Sequence, residues 1–306
     1  MPRPTARDVH PSLAALTRIS IAYSNNQFVY PDVFPIVQVE KKEDFYFVYD
    51  RASFFRNRSG PRAPGTEAPR GTYGISTASY ICLNDSIAFD IPDEVRNNAD
   101  APLQPDVDAT EYVSNQLELG LEIRVANVVT ACGNWTSASN PTALWSNPSS
   151  SPFGDIMNGI NAVVSTIGRK PNVAVCSWNV WRYLVDHPDF LERIKYTRPG
   201  ARLESQDMRS WFELDKMVVG AAIKDTSEEG ATAAPAYVWG NMFWIGYVAP
   251  NPSLRTPSSG YVFRWQNKSM DRFREELKYQ DVISAQQFTA EKISASDAAA
   301  IYSTVV

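Results

Sequence analysis

The spacing of apolar and polar positions changes from segment to segment along this chain, and each spacing predicts a different element. Residues 1–40 carry no steady period. Pro2, Pro4, Pro11, Pro31 and Pro35 punctuate them, and only residues 13–23 suit a short helix. Proline fixes φ and removes a backbone donor, so this segment is expected to run as an extended arm over some other surface. Residues 45–55 and 73–91 are aromatic and β-branched runs that predict strands. Between them, residues 56–72 contain no large apolar side chain. They predict a long exposed tip that is either mobile or ordered by another molecule.

The period then becomes helical. Val113, Leu117, Leu121, Val125 and Val128 recur at spacings of four and three, placing one apolar face on a helix over residues 106–132. Asp108 and Glu111 resemble a capping box at its start, and Gly133 supplies a stop. At 1.5 Å per residue such a helix is about 36 Å long, a structural spine. Residues 133–152, rich in Asn, Ser and Pro, predict a surface loop. Residues 153–167 predict a second helix ending at Gly168, followed by a strand over 172–176. Ser177 is placed to cap a helix running to 186, which His187-Pro188 breaks before a further turn over 190–195. Strands dominate afterwards, over 216–223, 237–248 with Gly240-Asn241 as a hairpin turn, 261–265, 273–288 and the tail from 298. No internal repeat interrupts this order. The fold class is α+β.

Composition narrows the function. The 306 residues and 44% hydrophobic content predict a globular chain of one large or two ordinary domains. A net charge of −5 argues against an electrostatic nucleic-acid binder. Cys82, Cys132 and Cys176 are scattered without metal or disulfide spacing, which predicts buried free thiols. The N-terminus lacks a secretory h-region, and no apolar run of about 20 residues occurs; a soluble protein made in the cytoplasm is expected. The nucleophile elbow, the Walker loop, G-x-G-x-x-G and H-E-x-x-H are absent. His10 lies in the arm, and His187 is expected to be an exposed helix-end residue. Glu228-Glu229 and Glu275-Glu276 are sequence neighbours whose side chains diverge, so neither is an acid/base couple. Trp178, Trp181, Trp239 and Trp244 are assigned to core packing. No catalytic residue, cofactor or metal is expected, and the chain is read as a non-enzyme.

Charge is distributed unevenly. Residues 51–72 hold Arg51, Arg56, Arg58, Arg62 and Arg70 against Glu67, a net of +4 with no Lys. Residues 85–111 hold Asp85, Asp90, Asp93, Glu94, Asp100, Asp106, Asp108 and Glu111 against Arg96, a net of −7. Arg favours bidentate contacts with carboxylates, so an Arg-rich tip is expected to dock on the acidic stretch of a neighbouring copy, a head-to-tail contact that propagates into rings or shells.

Four segments carry a family resemblance: Tyr-Pro-Asp-Val-Phe-Pro-Ile-Val-Gln-Val from Tyr30, Arg62-Ala-Pro-Gly65, Ile-Pro-Asp-Glu-Val-Arg-Asn-Asn-Ala-Asp from Ile91, and the run from Lys170 through Trp178, Trp181 and His187 to Pro188. In their order and spacing the chain resembles the major capsid proteins of tailed double-stranded DNA phages. The resemblance implies the Hong Kong 97-like fold, with an N-terminal arm (1–40), an extended E-loop (41–90), a P-domain (91–149) containing the spine, an A-domain (150–260) and a return to the P-domain (261–306). It also implies a structural subunit whose hexamers and pentamers close an icosahedral head around DNA, assembled in the host cytoplasm with a portal and, in some relatives, a decoration protein. Because residues 51–72 lack Lys, no isopeptide crosslink of the kind some relatives form in the E-loop is expected. The start of the chain close to the arm predicts a separate scaffolding protein. The rival expectations are an encapsulin-type compartment and, from another class, a carbohydrate-active enzyme or binding module using the Trp and carboxylate content.

Overall fold

A computed structural model describes residues 28–99, 103–196, 202–228, 230–251 and 256–306; the helix expected over 13–23 and the acidic Asp100 lie outside them. In chain order the elements are α1 (Tyr30–Val33), β1 (Ile36–Val39), β2 (Glu43–Tyr49), α2 (Arg51–Phe55), β3 (Ile75–Ile81), β4 (Leu83–Pro92), α3 (Asp93–Asn97) and α4 (Pro105–Thr130). Next come β5 (Ser137–Ser139), α5 (Pro152–Ile167), β6 (Val173–Ser177), α6 (Trp178–Val185), α7 (Pro188–Ile194) and α8 (Ser205–Phe212). The chain finishes with β7 (Lys216–Gly220), β8 (Ile223–Asp225), β9 (Pro235–Tyr237), β10 (Phe243–Gly246), β11 (Gly260–Trp265), β12 (Ser269–Glu275), β13 (Gln280–Ile293) and β14 (Ala299–Tyr302).

The strands form two five-stranded sheets and two isolated pairs, β2–β3 and β8–β9. The first sheet is built on β13, which pairs antiparallel with β4 along one edge and with β12 and then β11 along the other; β1 joins β11 in parallel. The second runs β5-β14-β10-β6-β7.

The 26-residue α4, about 39 Å long at 1.5 Å per residue, links the two halves of the molecule. Its first turns bury Ala109, Val113 and Leu117 against Ile87, Phe89, Ile283 and Ala285 of the first sheet. Its last turns bury Leu121, Val125 and Val129 in a core shared with Phe34, Trp239 and Trp244. The apolar stripe thus ends on Val129, while Val128 is half-buried. The ends differ from expectation. The helix begins at Pro105, where the missing N–H costs nothing, with no side-chain cap, and Asp106 and Asp108 sit in its first turn beside the helix dipole. At the other end Asn134 Nδ2 and Trp135 Nε1 donate to the carbonyls of Val128 and Val129 at 2.8 and 2.7 Å, so side chains close the helix and Gly133 does not.

The described end of the expected arm is core. Val29, Tyr30, Val33 and Phe34 are all buried, and the carboxylate of Glu122, fully buried on α4, holds them: it accepts from Val29 N (3.0 Å), Tyr30 N (2.8 Å) and Trp239 Nε1 (2.6 Å). Close packing here demands glycine. A β-carbon at Gly260 would stand 2.6 Å from the Phe34 ring and 2.8 Å from the Lys292 carbonyl oxygen. Gly260→Ala should therefore lower stability by about 1–3 kcal/mol through overpacking, measurable by urea unfolding of the purified chain.

Two helix boundaries in the second half follow the sequence. Helix α5 ends at Gly168 with φ +66°, and Ser177 Oγ accepts from Val180 N at the start of α6. Several strand expectations need correction. Residues 51–55 are helical, because Asp50 caps them by accepting from Ala52 N and Ser53 N. The run 73–91 splits at Cys82, where the chain leaves one sheet for another. Gly240-Asn241 is not a hairpin turn, since β9 pairs with β8 while β10 pairs with β6 and β14. Residues 273–288 turn back at 276–279 to make the β12–β13 hairpin. Trp178 is 46% exposed, whereas Trp239 and Trp244 are fully buried. His187 is buried: its Nδ1 accepts from Asp189 N at the start of α7, and Nε2 lies 3.1 Å from both Ser150 Oγ and the Asn147 carbonyl. Cys82 and Cys176 are buried free thiols and Cys132 is half-buried; burial pushes the thiols of Cys82 and Cys176 up, away from reactivity. No helix among the described residues is long and apolar enough to cross a membrane.

Candidate assembly interface

Strands β2 and β3 pair over seven residues and join no other strand. Their alternation gives this ribbon two faces. Tyr46 and Tyr80 pack inward on Phe263, with ring centroids 5.5 and 4.6 Å away. Phe45, Phe47, Ile75 and Ile81 project outward and are exposed. Beyond the ribbon, Tyr49, Phe54 and Tyr73 cluster with centroids about 6 Å apart, and Phe54, Phe55 and Tyr73 stay exposed. A contiguous bare apolar surface of this kind marks an interaction site.

Among the described residues, the arm is tied to the rest of the chain near its base and midpoint. Arg51 Nη1 meets Asp297 Oδ2 at 2.7 Å, and the Ser53 hydroxyl, ahead of the backbone donors, holds the Asp50 carboxyl below its ordinary range. Residues 56–74 form neither helix nor strand and are exposed throughout. Within this tip Arg62 donates to the Thr66 carbonyl at 2.9 Å and Arg70 meets Glu67 at 3.2 Å, while Arg56 and Arg58 stand out to solvent.

The acidic stretch divides. Asp85 pairs with Arg124, which also meets Glu291 at 3.0 Å. Asp93 takes a two-pronged contact from Arg274 at 2.6 and 2.6 Å, and Asp106 meets Arg96 at 2.8 Å. Asp90 is half-buried on β4. Glu94 on α3, and Asp108 and Glu111 on the first turns of α4, are exposed, and Val107 and Tyr112 are exposed beside the last two. Proximity in sequence therefore overstates the free negative charge: salt bridges within the chain neutralise much of it, and the exposed acids gather at the start of the spine.

One residue outside the predicted stretch organises this region. Asp281, buried on β13, binds Arg96 Nη1 (2.6 Å), Arg272 Nη2 (2.5 Å) and Arg274 Nη1 (3.3 Å). Arg272 and then Arg96 hold its carboxyl far below the ordinary carboxylate range. Three acids and three arginines thereby fasten α3, the start of α4 and the β12–β13 hairpin together. The alternation Arg272-Phe273-Arg274 was the available signal, since it puts both guanidinium groups on one strand face, but nothing local identifies their partner.

A shallow groove of about 380 Å³ runs between β4 and α4 beside Asp85, Gln116 and Arg124. Among the described residues, no cluster of three or more His, Cys, Asp and Glu side chains is placed to hold a metal ion.

Comparison with known proteins supplies the relationships. No family model matches the chain. The major capsid protein of Burkholderia phage BcepMu is 25% identical over 285 residues, covering 89% of this chain and 90% of the relative. Among solved structures, a phage-related protein from Bordetella bronchiseptica superposes with a TM-score of 0.71 at 21% identity, covering 93% of this chain and 94% of that one. The capsid structure of cyanophage P-SCSP1u superposes with a TM-score of 0.63 at 9% identity, covering 96% and 92%. In sequence and in fold the chain is thus a relative of phage major capsid proteins, with the Hong Kong 97-like fold of tailed-phage capsid subunits.

Proposed function

We propose that this chain is the major capsid subunit of a tailed phage, a structural protein whose hexamers and pentamers close an icosahedral head around double-stranded DNA. The observation that carries the reading is the β2–β3 arm, a ribbon with a bare apolar face and an Arg-bearing tip that nothing among the described residues covers. On this reading residues 41–90 are the E-loop, 91–149 the P-domain, 150–260 the A-domain, and 261–306 the return to the P-domain. The arm lies over a neighbouring copy, its tip arginines Arg56, Arg58, Arg62 and Arg70 directed at the exposed Glu94, Asp108 and Glu111 and its rings at Val107 and Tyr112. Each contact is modest, and repetition over a closed shell makes the assembly stable. Assembly takes place in the host cytoplasm with a separate scaffolding protein and a portal. The carbohydrate reading has less support, because Trp145, Trp239 and Trp244 are fully buried, which leaves Trp178, 46% exposed, as a tryptophan that reaches the surface.

Charge reversal tests the docking. Arg58→Glu with Arg62→Glu should reduce closed particles about tenfold or more, since each reversed contact becomes repulsive, while the subunit keeps its unfolding midpoint because the tip adds nothing to its core. Electron microscopy and sedimentation read both. Particles in normal yield would show that the tip is a solvated loop.

A further inference from the structure

Two seats hold the arm, and they differ in kind. At the base, Tyr80 is buried and stacks on Phe263 with centroids 4.6 Å apart, and Lys42 lies over the Phe288 ring at 5.6 Å. These contacts belong to a core. The midpoint seat consists of the Arg51–Asp297 ion pair at 2.7 Å, with both side chains partly in water, and of Phe55, whose ring lies 3.9 Å from where a β-carbon on Gly168 would stand yet stays 63% exposed. A solvated ion pair adds little to stability. The base is anchored, whereas the midpoint only rests.

Both sides of the midpoint seat are nonetheless preformed. Asp50 caps α2 through Ala52 N and Ser53 N and donates its own N–H to the Gly74 carbonyl at 3.1 Å, so α2 is fixed across the end of the ribbon and carries Arg51 and Phe55 as one piece. Opposite, Asp297 sits in the single turn Ser296–Ala298 between β13 and β14. There its carbonyl accepts from Thr166 Oγ1 at 3.0 Å, and the Ser296 carbonyl accepts from Thr136 N at 3.2 Å. Opening the seat separates two ready-made surfaces without unfolding either, and closing it requires little ordering. Docking competes with the seat for the same side chains. Phe55 is one of the bare rings at the end of the arm, and a ring lying on Gly168 is not available to another chain.

We propose that the midpoint seat is an autoinhibitory strap: Arg51 and Phe55 hold the arm on its own chain while the subunit is free, and a neighbouring copy docks the arm by displacing it from Asp297 and Gly168. The proposal rests on the shell reading above and adds to it a control on when assembly starts. A weak strap suits that role. It lowers the apparent affinity of the first encounters by the fraction of subunits whose arm is seated, and the repeated contacts of a growing shell overcome it.

The test uses the full chain with scaffold supplied, each variant being checked for its urea unfolding midpoint. Asp297→Asn removes the charge that holds Arg51 and leaves the arm itself unaltered, so particles should form at a subunit concentration about two- to fivefold lower than for the parent. Arg51→Cys with Asp297→Cys, in a Cys132→Ser chain, allows a short bismaleimide to fix the seat closed. The joined chain should give about tenfold fewer closed particles or less, whereas the same chain left unjoined should assemble at least as readily as the parent. The reagent should also join these two positions in free subunits and fail to join them in finished particles. Normal yield from the joined chain, joining within particles, or an unchanged or raised threshold for Asp297→Asn overturns the strap. Failure of the unaltered chain to form shells under the same conditions would instead overturn the capsid reading.

Discussion

Glu122→Ala is expected to cost on the order of 3–6 kcal/mol of unfolding free energy, because it strands three buried donors at about 1–2 kcal/mol each. The carboxylate is fully buried and is the shared acceptor for Val29 N, Tyr30 N and Trp239 Nε1. Those donors belong to α1 and its approach and to the chain between β9 and β10, so one side chain of the spine ties down two distant segments. Glu122→Gln keeps the shape but must turn an NH₂ group toward an N–H donor, and a smaller loss of about 1–3 kcal/mol follows. Urea unfolding of the unassembled subunit measures both, and an alanine variant as stable as the parent would show that apolar packing alone fixes α1. Burial raises the Glu122 carboxyl despite its three donors. The folded chain thus binds this proton more tightly than the unfolded chain, and its contribution to stability falls as pH rises through the interval from the ordinary to the raised value.

Asp281→Asn is the second large effect, with the opposite pH signature. The substitution preserves size and removes the anion shared by Arg96, Arg272 and Arg274. Arg96 keeps Asp106 and Arg274 keeps Asp93, so the expected outcome is a loosened hairpin within a folded subunit: a lower melting temperature and faster proteolysis at residues 276–279. In the parent chain both Asp93 and Asp281 are depressed, Asp93 by Arg274 and Asp281 chiefly by Arg272 and Arg96. A depressed carboxylate stabilises the fold above the unfolded value near 4 and loses that contribution as pH falls below it. Acidification below about pH 4 should therefore destabilise the parent more than the Asn variant. Parallel melting curves for the two from pH 6 to pH 3, allowing for the Glu122 term common to both, would contradict the cluster's role.

The elements legible in the sequence are those whose cause is local. The spine shows itself through Val113, Leu117, Leu121 and Val125 because one helix face is buried along its length, and α5 ends at Gly168 because only that residue readily takes φ +66°. The bare tip was legible for the same reason, since residues 56–72 offer nothing to bury. What stayed hidden depends on partners far along the chain. Arg274 and Asp93 are 181 residues apart and Trp239 and Glu122 are 117 apart. Hence the count of −7 over residues 85–111 looked like one acidic surface, when Asp85, Asp93 and Asp106 are neutralised from α4, β12 and α3. Glu122 looked like any helical glutamate, although it adjoins Leu121 on the buried side. The β12–β13 turn was missed because Glu276, Leu277 and Lys278 carry no Gly or Pro, and Tyr279 takes the left-handed conformation instead.

The central claim, that this chain works by binding copies of itself, is tested most directly by electron microscopy of the purified full-length protein with scaffold supplied. The account predicts closed icosahedral particles in which the β2–β3 arm of one subunit lies across the start of the spine helix of the next, Arg58 and Arg62 facing Asp108 and Glu111. Compact monomers, or particles whose arms stay folded on their own subunits, would contradict it.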